Sequence, residues 1–175
     1  MRIKKILCPT DLSQNSARGI EYAFFLSREY RAEIVILHVT AFPSVPLAAA
    51  YPMDALPSDQ RLYAPPSVDQ ILRRAQTSLD AFMKSFPNSR FQTRLTLGKP
   101  AQEIINTAFQ EHTDLIVMAK RRLGTLRRLL SPSISENVSR QAPCPVLSIC
   151  PQQIQQPIIR RSRPAATGLF LGAEA

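Results

Sequence analysis

The residues best suited to chemistry in this 175-residue chain fall between positions 116 and 150. An apolar run, Leu115 to Met118, gives way there to a basic loop. Ser133, with Glu136 three residues on, then carries the capping-box signature of a helix start. Six Lys or Arg (Lys120, Arg121, Arg122, Arg127, Arg128, Arg140) stand between residues 119 and 140 against Glu136 alone. Such a loop can hold an anion through its cationic side chains and through the free N–H groups of the following helix turn. The implied partner is a phosphate-bearing ligand or an acidic protein surface, although charge runs also serve as plain solvated surface. No aromatic residues interleave the cluster for stacking on bases, so nucleic acid is not expected.

Bond-breaking chemistry finds little support. His38 and His112 are the only histidines, and neither has a carboxylate or Cys beside it at ligand spacing, which argues against zinc. No Ser–His–Asp arrangement, HExxH or intact P-loop occurs. Asp11 follows an apolar run and precedes a helical pattern, so it reads as the cap of that helix.

The composition fits one globular domain. The hydrophobic share is 45% and the charged share 20%, with a net charge of +9 that suits an anionic partner. The three cysteines and the short apolar opening indicate a reducing, cytoplasmic setting, with Cys8 and Cys150 read as buried thiols inside apolar runs. Nothing approaches the ~20 apolar residues of a membrane span.

The elements that must position the loop alternate in type. Ile3 to Pro9, Ile34 to Val39, Phe91 to Leu97, Leu115 to Met118 and Val146 to Cys150 read as strands. Helical spacing fills Ser13 to about Tyr30, the stretch after the Ser67/Gln70 capping box, the segment opened by Pro100, and the segment opened by Ser133. Such alternation predicts a three-layer α/β sandwich on a parallel sheet with right-handed crossovers. Ligands in such sheets sit beyond the carboxyl ends of the strands, so Pro9-Thr10-Asp11, Val39-Thr40 and residues 118 to 135 are expected to converge. Residues 41 to 66 hold six prolines and read as an irregular insertion, and residues 151 to 175 as a mobile extension.

KKILCPTDLSQNSARGIEYA, ILHVT, GKPAQEIINTA, DLIVMA and SISENVSRQAPCPVLSI, in that order, resemble the universal stress protein family over about residues 1 to 150. The resemblance implies a Rossmann-like, five-stranded sheet of order 3-2-1-4-5, usually in a dimer, with ATP bound by some members and not by others. Its nucleotide site would fall on Pro9, Thr10, Asp11, Val39, Met118, Ala119, Arg121, Arg122, Ser133, Ile134 and Ser135. Asp11 would then touch the adenine or ribose region, and Val39 would pack on the base. The family's phosphate motif is Gly, two residues, Gly, nine residues, Gly, then Ser or Thr. Here it reads Ala119, Arg122, Pro132, Ser133, with every glycine replaced. Arg122 crowds a close backbone approach, and Pro132 has no N–H to donate. The expectation is a stress-response protein without enzymatic activity or a required cofactor, binding ATP or AMP weakly or not at all. The alternative is a sensor of nucleotides or phosphorylated ligands at the basic loop. Uncharged VLSIC at a sheet edge predicts an isologous homodimer through Val146–Cys150, with Pro143 and Pro145 limiting how early pairing starts.

Overall fold

The computed structural model describes residues 2–41, 66–86, 90–119 and 133–150. The insertion, apart from its end residues, the tail and the basic residues 120–132 lie outside the described residues, so nothing below rests on them.

Five strands and four helices alternate along the chain. They are β1 (Lys5–Thr10), α1 (Gln14–Tyr30), β2 (Glu33–Thr40), α2 (Val68–Met83), β3 (Gln92–Leu97), α3 (Pro100–Gln110), β4 (Leu115–Ala119), α4 (Ile134–Gln141) and β5 (Val146–Ile149). The sheet is parallel throughout, in the order β3-β2-β1-β4-β5. Its two faces carry separate cores. Ile6, Cys8, Ile20, Phe24, Ile36, Leu79, Val117 and Ile149 pack on the α1/α2 side. Leu7, Val35, Leu37, Ile104, Ile116, Met118 and Val138 pack on the α3/α4 side. Central strands buried on both faces explain why β1, β2 and β4 read as continuous apolar runs.

Helix starts follow local chemistry. Ser67 with Gln70, and Ser133 with Glu136, form complete capping boxes. Pro100 opens α3 behind Lys99, which contributes no side-chain cap. The cap of α1 corrects the sequence reading. It is Ser13, whose side chain accepts the N–H of Ser16, and not Asp11. Asp11 instead accepts from Ser13 N at 3.1 Å and from Ser13 Oγ at 2.5 Å. The carboxylate therefore fixes the residue that does the capping.

Cys8 is fully buried, but Cys150 is only half-buried, which corrects the expectation for that thiol. Cys150 follows the last residue of β5, where no further strand among the described residues covers it.

The outer edge of β5, the last strand of the sheet among the described residues, has a definite polarity. Ile116 N donates to Pro145 O at 3.0 Å, so the Pro145 backbone is turned toward β4. Successive residues of a strand alternate in direction, hence Val146 and Ser148 turn their N–H and C=O groups outward. Pro145 thus removes a donor from the covered side and leaves the outer edge intact. The expectation that it limits edge pairing is corrected accordingly.

Candidate functional site

The ends of β1, β2 and β4 lie side by side because β1 pairs with both neighbours. Thr10 ends β1 as a buried side chain with a dense set of partners. Its Oγ1 stands 2.9 Å from Ser16 Oγ and accepts from Leu12 N at 3.0 Å. Its carbonyl lies 3.0 Å from His38 Nδ1. Leu12 itself adopts φ 60°, a left-handed turn that brings the chain from β1 into α1 within a few residues. Asp11 is exposed at the rim of this turn, held to Ser13. Val39 is half-buried at the end of β2 and packs against the α3/α4-side core, and Pro9 is half-buried within β1.

Ala119 is the last residue of β4, in ordinary strand conformation, so its Cβ carries no left-handed penalty. Met118 is buried beside it and shares a core with Val138 of α4. That shared packing ties the end of β4 to α4.

At the start of α4, Ser135 is buried, Ile134 is exposed, and Ser133 is half-buried. Ser133 Oγ lies 2.9 Å from Ser135 Oγ and also accepts from Glu136 N at 3.3 Å. The Glu136 carboxylate returns to accept from Ser133 N at 3.1 Å. A helix N-terminus carries a partial positive charge from unpaired N–H groups, which favours an anion there. In this chain a side-chain carboxylate already occupies part of that field. Ser135, Glu136, Ser139, Arg140 and Ser148 also line a shallow depression of about 220 Å³ between α4 and β5. That is below the ~300 Å³ at which small-molecule sites usually begin.

A family model for the universal stress protein family matches residues 2–149. The chain belongs to the universal stress protein family. A universal stress protein of Methanocaldococcus jannaschii is 28% identical over 152 residues, covering 83% of this chain and 81% of its own length. Among solved structures, UspA from Lactobacillus plantarum superimposes with a TM-score of 0.62 at 22% identity, covering 85% of this chain and 99% of that one. A universal stress protein family protein from Arabidopsis thaliana, with AMP bound, superimposes with a TM-score of 0.53 at 18% identity, covering 84% of this chain and 91% of that one.

In this universal stress protein, Pro9, Thr10, Asp11, Val39, Met118 and Ala119 lie at or next to the carboxyl ends of β1, β2 and β4. Ser133, Ile134 and Ser135 open α4. Arg121 and Arg122 lie outside the described residues. Sequence reasoning missed one participant. His38 reaches the carbonyl of Thr10, and no spacing rule announces a contact made across two strands. Glu136 is legible in sequence as a capping partner and as the one acid among six cations, but the structure adds that its charge sits on the helix-end N–H of Ser133. Among the described residues no group of three or more His, Cys, Asp or Glu could hold a metal ion. No helix among them is long and apolar enough to cross a membrane.

Proposed function

We propose that this universal stress protein is a non-enzymatic, cytoplasmic stress-response protein. It acts as a homodimer through protein contacts and binds ATP weakly or not at all. The observation that carries the reading is the Glu136 carboxylate on Ser133 N at 3.1 Å. It puts a negative charge on the helix end where a nucleotide would need to place its phosphates. Pro132 contributes no N–H to the same end, and Ala119 and Arg122 replace the glycines that would let a backbone approach. The dimer reading is supported by β5, a sheet edge without charge whose outward donors Val146 and Ser148 are intact.

Calorimetry with ATP and AMP, run beside sedimentation at about 10 µM protein, tests both halves of the reading. The expected result is a dimer with no measurable ATP binding and no hydrolysis. Submicromolar ATP affinity, ATP retained through purification, or phosphate release would overturn the nucleotide half. A monomer would overturn the assembly half. A variant carrying Ala119→Gly, Arg122→Gly, Pro132→Gly and Glu136→Gln should gain ATP affinity.

One observation favours a second reading, a sensor of nucleotides or phosphorylated ligands. The Ser133 and Ser135 hydroxyls lie 2.9 Å apart at the α4 start, which in sequence directly follows the Arg-rich residues 120–132. The relative holding AMP lends it support. Clear AMP affinity in the same titration selects this second reading over the first.

A further inference from the structure

Glu136, Ser139 and Arg140 are exposed on α4, and all three line the depression that Ser148 of β5 also borders. Their flank of the helix is therefore turned toward the outer edge of the sheet. Val138, beneath the helix, is fully buried with Ile116 and Met118 of β4 and packs with half-buried Val146 of β5. The helix thus lies across the β4–β5 pair, with a polar flank beside the last strand among the described residues.

The β5 edge is too small to hold two copies together unaided. Its four residues make an edge about 13 Å long at ~3.3 Å per residue. Paired across one strand spacing of ~4.8 Å, it covers on the order of 100 Å² per copy, against ~800 Å² in a stable interface. A second layer must supply the rest.

Layer geometry says which. An antiparallel edge pair has its two-fold axis normal to the sheet, so the helices of both copies stay on one face. The axis lies ~2.4 Å outside β5, and a helix over the middle of the β4–β5 pair lies ~4.8 Å from it. The two α4 axes are then about 10 Å apart, the packing distance of neighbouring helices. Small side chains at Ser135 and Ser139, one turn apart, permit that approach.

The charges on this flank complement their own two-fold image. Glu136 and Arg140 stand four residues apart, about 6 Å along the helix. Antiparallel packing reverses their order, so each Glu136 meets the partner's Arg140 where the helices cross between them. Ser148, on the outward edge of β5, borders the same depression as both residues and places the crossing at that level. Glu136 Oε2 accepts from Ser133 N, and Oε1 is available to the partner's guanidinium.

We infer that the α4 flank bearing Glu136, Ser139 and Arg140 is the second layer of the dimer interface, seated on the same flank of a second copy with Glu136 against the partner's Arg140. The inference rests on the dimer reading above. It adds a helical layer and two ion pairs that select its orientation.

Sedimentation equilibrium of the full-length protein tests it through charge reversal. Arg140→Glu leaves both members of the capping box in place and should weaken the dimer at least tenfold, since like charges then face each other twice. Glu136→Arg should do the same. Mixing the two variants should restore a heterodimer, because each chain then supplies the charge the other lacks. If Glu136→Arg fails to fold, Arg140→Glu alone decides. A wild-type dimer that Arg140→Glu leaves unchanged overturns this inference and leaves the β5 dimer standing. That result is also the one expected if residues 151–175 of the same chain, or another protein, cover the flank. Weakened single variants that do not recover on mixing overturn the Glu136–Arg140 pairing. A monomeric wild type overturns the dimer reading and this inference together.

Discussion

Gly19 of α1 and Ala119 of β4 divide a single space. A Cβ placed on Gly19 would lie 3.2 Å from the Ala119 backbone nitrogen and 3.4 Å from its Cβ. The helix therefore reaches the end of the strand because one of the two residues lacks a side chain. Gly19→Val should destabilise the fold by about 2 kcal/mol through overpacking, read as a lower urea midpoint. Adding Ala119→Gly should recover less than half of that loss, because the nearer atom is backbone. Full recovery would show that the Ala119 methyl, and not the strand itself, sets the limit.

Glu136 offers a separable test of charge and capping. Glu136→Gln keeps a side chain able to complete the box but removes the charge. Affinity for ATP or inorganic phosphate should rise, by up to about fivefold if the carboxylate's effect is near 1 kcal/mol. Thermal unfolding should change little. Ser133→Ala, in contrast, should cost about 1 kcal/mol of stability by removing the cap. Unchanged anion affinity in Glu136→Gln would remove the carboxylate from the explanation.

Acid stability should depend on a small cluster at the opposite end of the sheet. Lys5 Nζ, 2.9 Å from Glu111 Oε2 and hydrogen-bonded to it, holds that carboxyl below its ordinary value, and Arg94 adds to the effect at 2.6 Å. Asp114 is likewise lowered, chiefly by accepting the N–H of Lys4 at 2.8 Å and that of Lys5 at 3.0 Å. A carboxyl with a lowered folded pKa stabilises the fold above its unfolded value, and the contribution is lost as pH falls through the folded value. Stability should be level from neutrality to about pH 5 and decline below about pH 4. In Asp114→Asn the neutral-pH stability should drop by roughly 1 kcal/mol and the acid decline should be shallower. A steeper decline in the variant would contradict the assignment.

Much of this architecture is legible in the residues themselves, for reasons that differ by element. Both capping boxes are visible because Ser67 and Gln70, or Ser133 and Glu136, sit one turn apart and need no tertiary information. The central strands stand out because burial on both faces removes polar residues from them. Asp11 reads as a cap in the sequence because two short oxygen-bearing residues compete within one turn, and backbone direction decides for Ser13. The burial of Cys150 and the direction of Pro145 were not legible at all. Each depends on which strand lies alongside and in what register, and an apolar run carries neither fact.

Edge pairing can be tested through the backbone. Leu147 and Ile149 both pack toward the α1/α2-side core, so charged replacements there would disturb folding as well as assembly. Ser148→Pro instead deletes one outward N–H from an exposed position. The variant should sediment as a monomer while unfolding close to the wild-type temperature. A stable Ser148→Pro dimer would place the interface elsewhere.

Burial pushes the Cys8 thiol up to about 12. At pH 8 that leaves roughly one thiolate in 10⁴ thiols, so iodoacetamide should spare Cys8 in the native protein and modify it in urea. Native labelling of Cys8 at the rate of Cys150 would mean that β1 opens readily.

The first strand of the chain is the middle strand of the sheet. Asp114 N donates to Lys5 O at 3.0 Å, and the Asp114 carboxylate takes the N–H groups of Lys4 and Lys5 in return. A polypeptide emerging from the ribosome can assemble β1, β2 and β3 early, but the opposite side of β1 waits until about a hundred further residues are made. During that interval a strand with a buried apolar centre, Ile6 to Cys8, presents an open row of amide groups to its surroundings. Vectorial synthesis therefore gives this fold a vulnerable half-sheet stage. Slow translation or heat would lengthen the exposure, and nascent-chain chaperones would find their target at residues 5 to 10.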